Sequence, residues 1–317
     1  MGIRKTLPRI KSLSNILLLA TIIHLSVATL IHVAWLVTGN AAWLHYFFAY
    51  QDPVFLVSFS MVGFSLSLVA CHQFSRGQSL RMAWMLISLA AACHMLGTML
   101  SHLFATDSYF NPLYAFKFGF YTSAKPYLLL LGQALAGPLN MAILACGLLL
   151  VLQLYRGLGL LGKLKGLDWG MLGLVSAYSV FVAYTVIRSR VDASGVAGIV
   201  DYLNWSGDPL LCLLLFESIW IRRSLVDMGW GFVSKCWGSF VAAIFLTSMG
   251  SMGKWATAYQ YIPWPQSSVT WYVWYLASAA FALAPAFQVE ASITARARLR
   301  SLLIEEEVPV PSTVGTT

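Results

Sequence analysis

Charge is what this sequence has least of: Asp, Glu, Lys and Arg make up 10% of its 317 residues, where a soluble globular chain carries about a quarter. That excludes a water-soluble globule. No internal stretch is polar enough to fold as a separate soluble unit, so a large extramembrane enzyme domain is excluded as well. Cysteine is sparse too. Cys71, Cys93, Cys146, Cys212 and Cys236 are odd in number, lie in or at the inner ends of apolar segments and form no CxxC, so they read as small packing residues and not as a disulfide framework. The absence of CxxCH excludes covalent c-type haem. No hydrolase triad, Walker loop or zinc signature occurs, and no paired carboxylates share a helix face. A GxGxxG does stand at Gly157, Gly159 and Gly162. It follows an apolar helix, whereas the dinucleotide fingerprint needs a preceding strand and a βαβ unit.

What is present is apolar length: 59% of residues are hydrophobic and the mean hydropathy is +0.73. Segments of about 20 apolar residues, enough to cross a ~30 Å hydrocarbon core, predict eight helices over 13–38, 53–74, 82–104, 126–154, 168–187, 208–227, 232–256 and 268–290. The fold class is therefore all-α, a polytopic integral membrane protein. With the amino terminus inside, only Lys117, Lys125, Arg188, Arg190 and Lys254 fall outside, and the other 15 of 20 Lys and Arg fall inside. This positive-inside bias predicts a multi-pass cell-membrane protein with both termini cytoplasmic. The net charge of +8 then reflects topology and anionic inner-leaflet lipid, with no nucleic acid required. The basic start, Met1 to Lys11, resembles a secretory signal, but the apolar run that follows is long enough to stay as an anchor. Met-Gly-Ile-Arg-Lys-Thr also fits a loose myristoylation pattern, which would add little to eight spans.

The spans divide four and four. A basic amino terminus, 1–12, precedes the first four-helix unit, 13–154; the Gly- and Lys-rich linker 155–167 leads to the second, 168–290, and a cytoplasmic tail fills 291–317, with 309–317 reading as disordered. The nine-residue approaches His45 to Pro53 and Asp201 to Pro209 both end in Asp-Pro, 156 apart. Trp84 and Gly97 match Trp237 and Gly250 at an offset of 153. These matches predict tandem repeats in parallel orientation, against the plain alternative that Pro, Trp and Gly recur wherever membrane helices use them. Asp52 and Asp208 read as helix caps, followed by Pro in the first turn.

All six histidines, His24, His32, His45, His72, His94 and His102, lie in the first unit. His24 and His94 each come 13 residues after the last inner charge, Lys11 or Arg81, and His32 and His102 each come 21 after it. At 1.5 Å per residue the pairs sit about 20 and 32 Å above those charges, and the two histidines of one helix are roughly 80° apart around it. Two imidazoles at one depth on facing helices would supply the axial ligands of a b-type haem. The expected site is thus His24 and His94 as metal ligands between the first and third helices, with His32 and His102 as a second or supporting level, in an electron-transfer subunit of a larger complex. Copper with Met95 and Met99 is a softer-ligand alternative. The plain alternative is that these histidines bond backbone carbonyls or nearby hydroxyls, Ser26, Thr29, Thr98 or Ser101. His45 and His72, at helix edges, read as interfacial.

Two other features carry function. Glu217 is the one carboxylate well inside a predicted span; it either pairs with Arg222 or Arg223 or serves a transporter as an intramembrane acid. The outer loops 39–52, 104–126, 189–208 and 254–270 hold 19 of 44 aromatic residues. They read as an interfacial belt, or as the docking face of a scaffold or sensory subunit for a partner, or as the mouth of a site for a quinone or other hydrophobic ligand. Asn204-Trp-Ser is an outward sequon.

Overall fold

The computed structural model describes residues 12–47, 52–101, 126–189, 202–203, 205–226, 231–258, 261–262 and 266–306. His102, the basic segment 1–11, Asn204, most of the aromatic outer loops and the tail from 307 lie outside them, as do the side chains of His45 and Asp52. Among the described residues every regular element is helical and there is no strand.

The helices follow the apolar runs. α1 spans Leu13–Thr38; Ser12 caps it by accepting from the Asn15 amide at 3.2 Å, and Gly39 ends it at φ 68, its N–H donating to the Trp35 carbonyl at 2.8 Å. That left-handed turn is why glycine stands there. A short helix, α2 (Ala42–Tyr46), leads to α3 (Asp52–His72) and α4 (Ser79–Met99). The fourth expected span is interrupted: α5 (Pro126–Ala134) passes through a π turn, Leu135–Leu139, into α6 (Asn140–Gly157). Pro138 has no N–H to continue the ladder, and Gly137 takes the non-helical angles φ −95, ψ −107 that let the chain swing. α7 (Gly166–Ser189), α8 (Leu211–Val226) and α9 (Phe232–Ala258) follow, α8 preceded by a 3-10 turn at Asp208–Leu210. α10 (Trp271–Glu306) follows a second 3-10 turn, Gln266–Thr270; its 36 residues measure about 54 Å.

Seven of these helices are long and apolar enough to cross a membrane. The sixth expected span, 208–227, exists as α8, but at 16 residues it falls short of the about 20 that a spanning helix needs. One element went beyond expectation, the π turn; the last helix continues past residue 290 with exposed Arg296 and Arg298, as the arginine-bearing stretch Ala291 to Arg300 suggests, and ends at Glu306.

Six helices close a ring. α3 packs on α4, α4 on α6, α6 on α8, α8 on α9, α9 on α10, and α10 back on α3. α1 lies outside the ring against α10, and α7 lies outside against α8 and, less extensively, α9. One apolar cluster, built on α4, α6, α7, α8 and α9, contains Trp84, Leu148, Leu215, Trp237 and Ile244. A second joins α1, α2, α3 and α10 through Ala28, Leu44, Phe55, Tyr275 and Ala282. α3 and α10 contribute to both clusters, α1 only to the second and α4 only to the first. Helix approach is closest where side chains vanish: a Cβ on Gly97 of α4 would fall 2.5 Å from the Ala136 nitrogen and 2.6 Å from the Gly132 carbonyl. Dispersion and small-residue contacts of this kind hold helices together in lipid, where apolar burial alone gives no preference for protein over tails.

Candidate functional site

The buried positions of α1 are Ser14, Leu17, Thr21, Ala28 and His32, with His24 partly buried between them. They form one stripe, so His24 and His32 do share a face, because a packing stripe is at least about 100° wide and absorbs the offset of eight residues. That face meets α10, whose Ala279, Ala282 and Ala286 allow close approach.

Each histidine has a distinct environment. The His24 ring stacks on Phe55 of α3, with centroids 3.8 Å apart and planes 14° from parallel, and meets the edge of Tyr275 of α10 at 4.5 Å and Phe47 at 5.4 Å. Its Nε2 is buried with no hydrogen-bond partner. His32 is fully engaged: Nδ1–H donates to the Ala28 carbonyl at 2.8 Å, and Nε2 lies 2.8 Å from Ser268 Oγ, which then must be the donor. This is the plain alternative realised, and neither ring nitrogen is left to ligate a metal. His94 of α4 hydrogen-bonds the backbone of Ala136 in the π turn, faces Phe281 of α10 at 6.4 Å, and keeps a buried, unpartnered Nδ1. His72 is exposed at the last turn of α3.

The structure does not bring His24 and His94 together. α1 and α4 belong to different clusters, with α3 and α10 between them. Their partners on α10, Tyr275 and Phe281, are six residues apart, which is about 9 Å of axial rise. Equal distance from a flanking charge measures height only if both helices stand equally deep and upright. Among the described residues no group of three or more His, Cys, Asp or Glu gathers as a metal site.

The acidic residues are arranged differently from expectation. Glu217 lies midway along α8, 1% exposed, with Oε2 buried and without a partner. Arg223 does not pair with it. Its guanidinium grips Asp168 of α7 through two bonds, Nε to Oδ2 at 2.6 Å and Nη2 to Oδ1 at 2.9 Å. Six residues separate Glu217 from Arg223, so they point about 120° apart around the helix. Asp208 is not a simple cap: it is 3% exposed, accepts from the Tyr178 hydroxyl at 2.7 Å and the Ser251 hydroxyl at 3.3 Å, and so ties α7 and α9 to the start of α8. Sequence reasoning missed Glu290 of α10, which accepts from the Ser14 amide at 2.9 Å and the Ser14 hydroxyl at 3.0 Å. A carboxylate at the edge of an apolar span, opposite the start of another helix, was the available signal.

No family model, curated protein or solved structure matches this chain.

Proposed function

We propose that the chain is a membrane transporter in which Glu217 binds the transported or coupling proton. The observation that carries this reading is a carboxyl group sealed in the bundle, with one oxygen bonded to nothing. An intramembrane acid without a structural partner is costly to keep, and such groups mark proton and ion paths. A metal cation is a poorer fit than a proton, because hard cations need about six oxygen ligands and among the described residues no group of three or more His, Cys, Asp or Glu gathers there.

The proposed architecture is eight crossings, α8 making the short one, with both termini at the cytoplasmic face of the cell membrane. The proposed units are α1 to α6 and α7 to α10. Exchanging α3 with α8, α4 with α9 and α6 with α10 leaves the packing of the ring unchanged, as a parallel pseudo-twofold requires. Trp84 and Trp237, 153 residues apart, meet at 6.2 Å; Gly97 abuts the fourth helix of its unit at Ala136, and Gly250 the fourth of its own at Trp274. Pro138 and Pro285 each stand inside that fourth helix, which is interrupted only at the first. Glu217 then sits on α8, which joins the units through α6, where repeat-built transporters place their sites.

The test is proton flux into proteoliposomes loaded with a pH-sensitive dye under an imposed potential. Glu217→Gln, which preserves shape, is expected to abolish flux while Glu217→Asp retains part of it. Equal flux through wild type and Glu217→Gln refutes the reading.

A redox reading has its own supporting observation: His24 Nε2 and His94 Nδ1 are both buried and without hydrogen-bond partners, a state that ligation relieves. With the rings in separate clusters, a b-type haem on both would require α1 to move from α10 toward α4. The test is an absorption spectrum of purified protein, where a Soret band lost on His24→Ala and on His94→Ala supports haem and a colourless preparation removes it.

A further inference from the structure

The linker between α6 and α7 carries two lysines to the edge of the apolar bundle. The membrane-spanning part of α7 begins at Gly166, so Lys163 and Lys165, exposed immediately before it, stand at headgroup level. They do not hang on a loose connection. The Gly162 carbonyl accepts from the Trp220 indole N–H at 3.1 Å, Leu164 packs on the core, and the Lys165 amide donates to Asp168 Oδ2 at 2.8 Å. Asp168, the carboxylate nearest in sequence, does not neutralise the two ammonium groups, because it is 1% exposed and gripped by Arg223.

From these lysines a groove runs along the outer face of α7. Gly166, Gly170 and Gly173 stand one above another on the helix, and a Cβ on any of them meets nothing within 4 Å. Glycine weakens a helix interior relative to alanine, and no packing within the chain asks for it here. Leu167 and Leu174 wall the groove on one side, Trp169 and Val180 on the other, all four exposed. The occupant that fits joins a negative headgroup to an acyl chain at the depth where Lys165 meets Gly166. A free anion leaves the groove unused, a zwitterionic lipid brings an ammonium group to the lysines, and a second copy on a twofold axis brings its own lysines against these. We infer that an anionic phospholipid seats here, its phosphate between Lys163 and Lys165, the Trp169 indole at its glycerol level, and one acyl chain along Gly170 and Gly173. This differs from the diffuse attraction of a basic face for an anionic leaflet, because cations and groove are held in one register. The seat is independent of Glu217 and does not depend on transport.

The experiment uses the full-length protein in phosphatidylcholine proteoliposomes with trace phosphatidylglycerol bearing a photoreactive diazirine on its acyl chain, followed by peptide mapping. Cross-links are expected within 166–180, competed by plain phosphatidylglycerol. Lys163→Gln with Lys165→Gln should lower labelling about thirtyfold, since each basic group near an anionic surface contributes roughly fivefold in affinity. Arg76→Gln with Arg296→Gln, which removes the same charge from exposed positions on other elements, should leave labelling nearly unchanged. Gly170→Leu with Gly173→Leu fills the groove and should lower labelling several-fold. Equal loss in the two charge pairs would identify diffuse attraction, displacement by glycerol 3-phosphate an anion-only site, and absence of label from 166–180 a face covered by a second copy. Each of these overturns the assignment, as does labelling indifferent to the glycine pair.

Discussion

The attachment of α1 to the bundle is the most direct quantity the structure gives to measurement. Only 22% of the most apolar stretch of α1 is buried, so most of its surface meets lipid and gains little from packing. At its start, Glu290 accepts from both the amide and the hydroxyl of Ser14, with Ser14 4% and Glu290 7% exposed. Hydrogen bonds to a charged group contribute about 1.5–3 kcal/mol each, and a carboxylate at a helix start adds roughly 0.3–1 kcal/mol through the backbone dipole. Glu290→Ala removes both bonds and leaves two buried donors, an expected loss of about 3–6 kcal/mol. Ser14→Ala removes the hydroxyl bond alone, so a double-mutant cycle should return a coupling of about 1.5–3 kcal/mol, a ten- to hundredfold change in the unfolding equilibrium. Reversible unfolding in mixed detergent and dodecyl sulfate micelles measures both. A coupling under about 0.5 kcal/mol, the limit within which independent sites add, would refute the pairing and with it the docking of α1 on α10.

Two further substitutions test the frame. Gly97→Ala puts a Cβ 2.5 Å from the Ala136 nitrogen, a backbone atom that cannot rotate away; overpacking of this kind costs about 1–3 kcal/mol, so a lowered melting temperature in detergent is expected, and an unchanged one would place α4 farther from the π turn. Asp168→Asn keeps an oxygen for the Lys165 amide but loses the grip on Arg223. Asp168 is 1% exposed and Arg223 13%, so the loss belongs at the lower end of the about 3–5 kcal/mol for breaking a buried pair, and Arg223→Lys, which lacks the fork, should recover only part of it on the same melting assay.

The helices were legible because lipid demands one thing above all of the sequence, apolar length with its backbone bonds internal. Leu13–Thr38 matches its expected span at both ends, and the others shift by a few residues, except that the last runs on to Glu306. The interruption at Leu135–Leu139 was not legible, although Gly137-Pro138 was in plain view, because a glycine and a proline inside an apolar run are common in membrane helices and need not break them. The separation of His24 from His94 was not legible for another reason. Residue type and depth can be counted along one helix, but which neighbour a stripe faces depends on ring closure among distant segments. α10, some 250 residues beyond His24 in the chain, took the position that adjacency had given to the third helix.

The unequal spread of polar groups between the halves has a physical basis in the two helices that stand outside the ring. Both are poorly buried, 22% for α1 and 33% for α7 over their most apolar stretches, and lipid tails compete on equal terms for apolar faces. Each is therefore fastened by polar contacts near its start and again farther along. α1 uses Ser14 on Glu290 near its start, then His32 on Ser268 and Thr29 with Tyr272; α7 uses Asp168 on Arg223 near its start, then Tyr178 and Ser179 on Asp208. One clasp is made with an imidazole and hydroxyls, the other with a phenol and a carboxylate. The concentration of histidine in the first half therefore does not by itself require a cofactor, since His32 is fully used in holding α1. What it leaves without a structural role are the bare nitrogens of His24 and His94 and the bare oxygen of Glu217. Of these, Glu217 is the only one whose residue is almost wholly sealed, at 1% exposed, which is why the functional assignment rests on it.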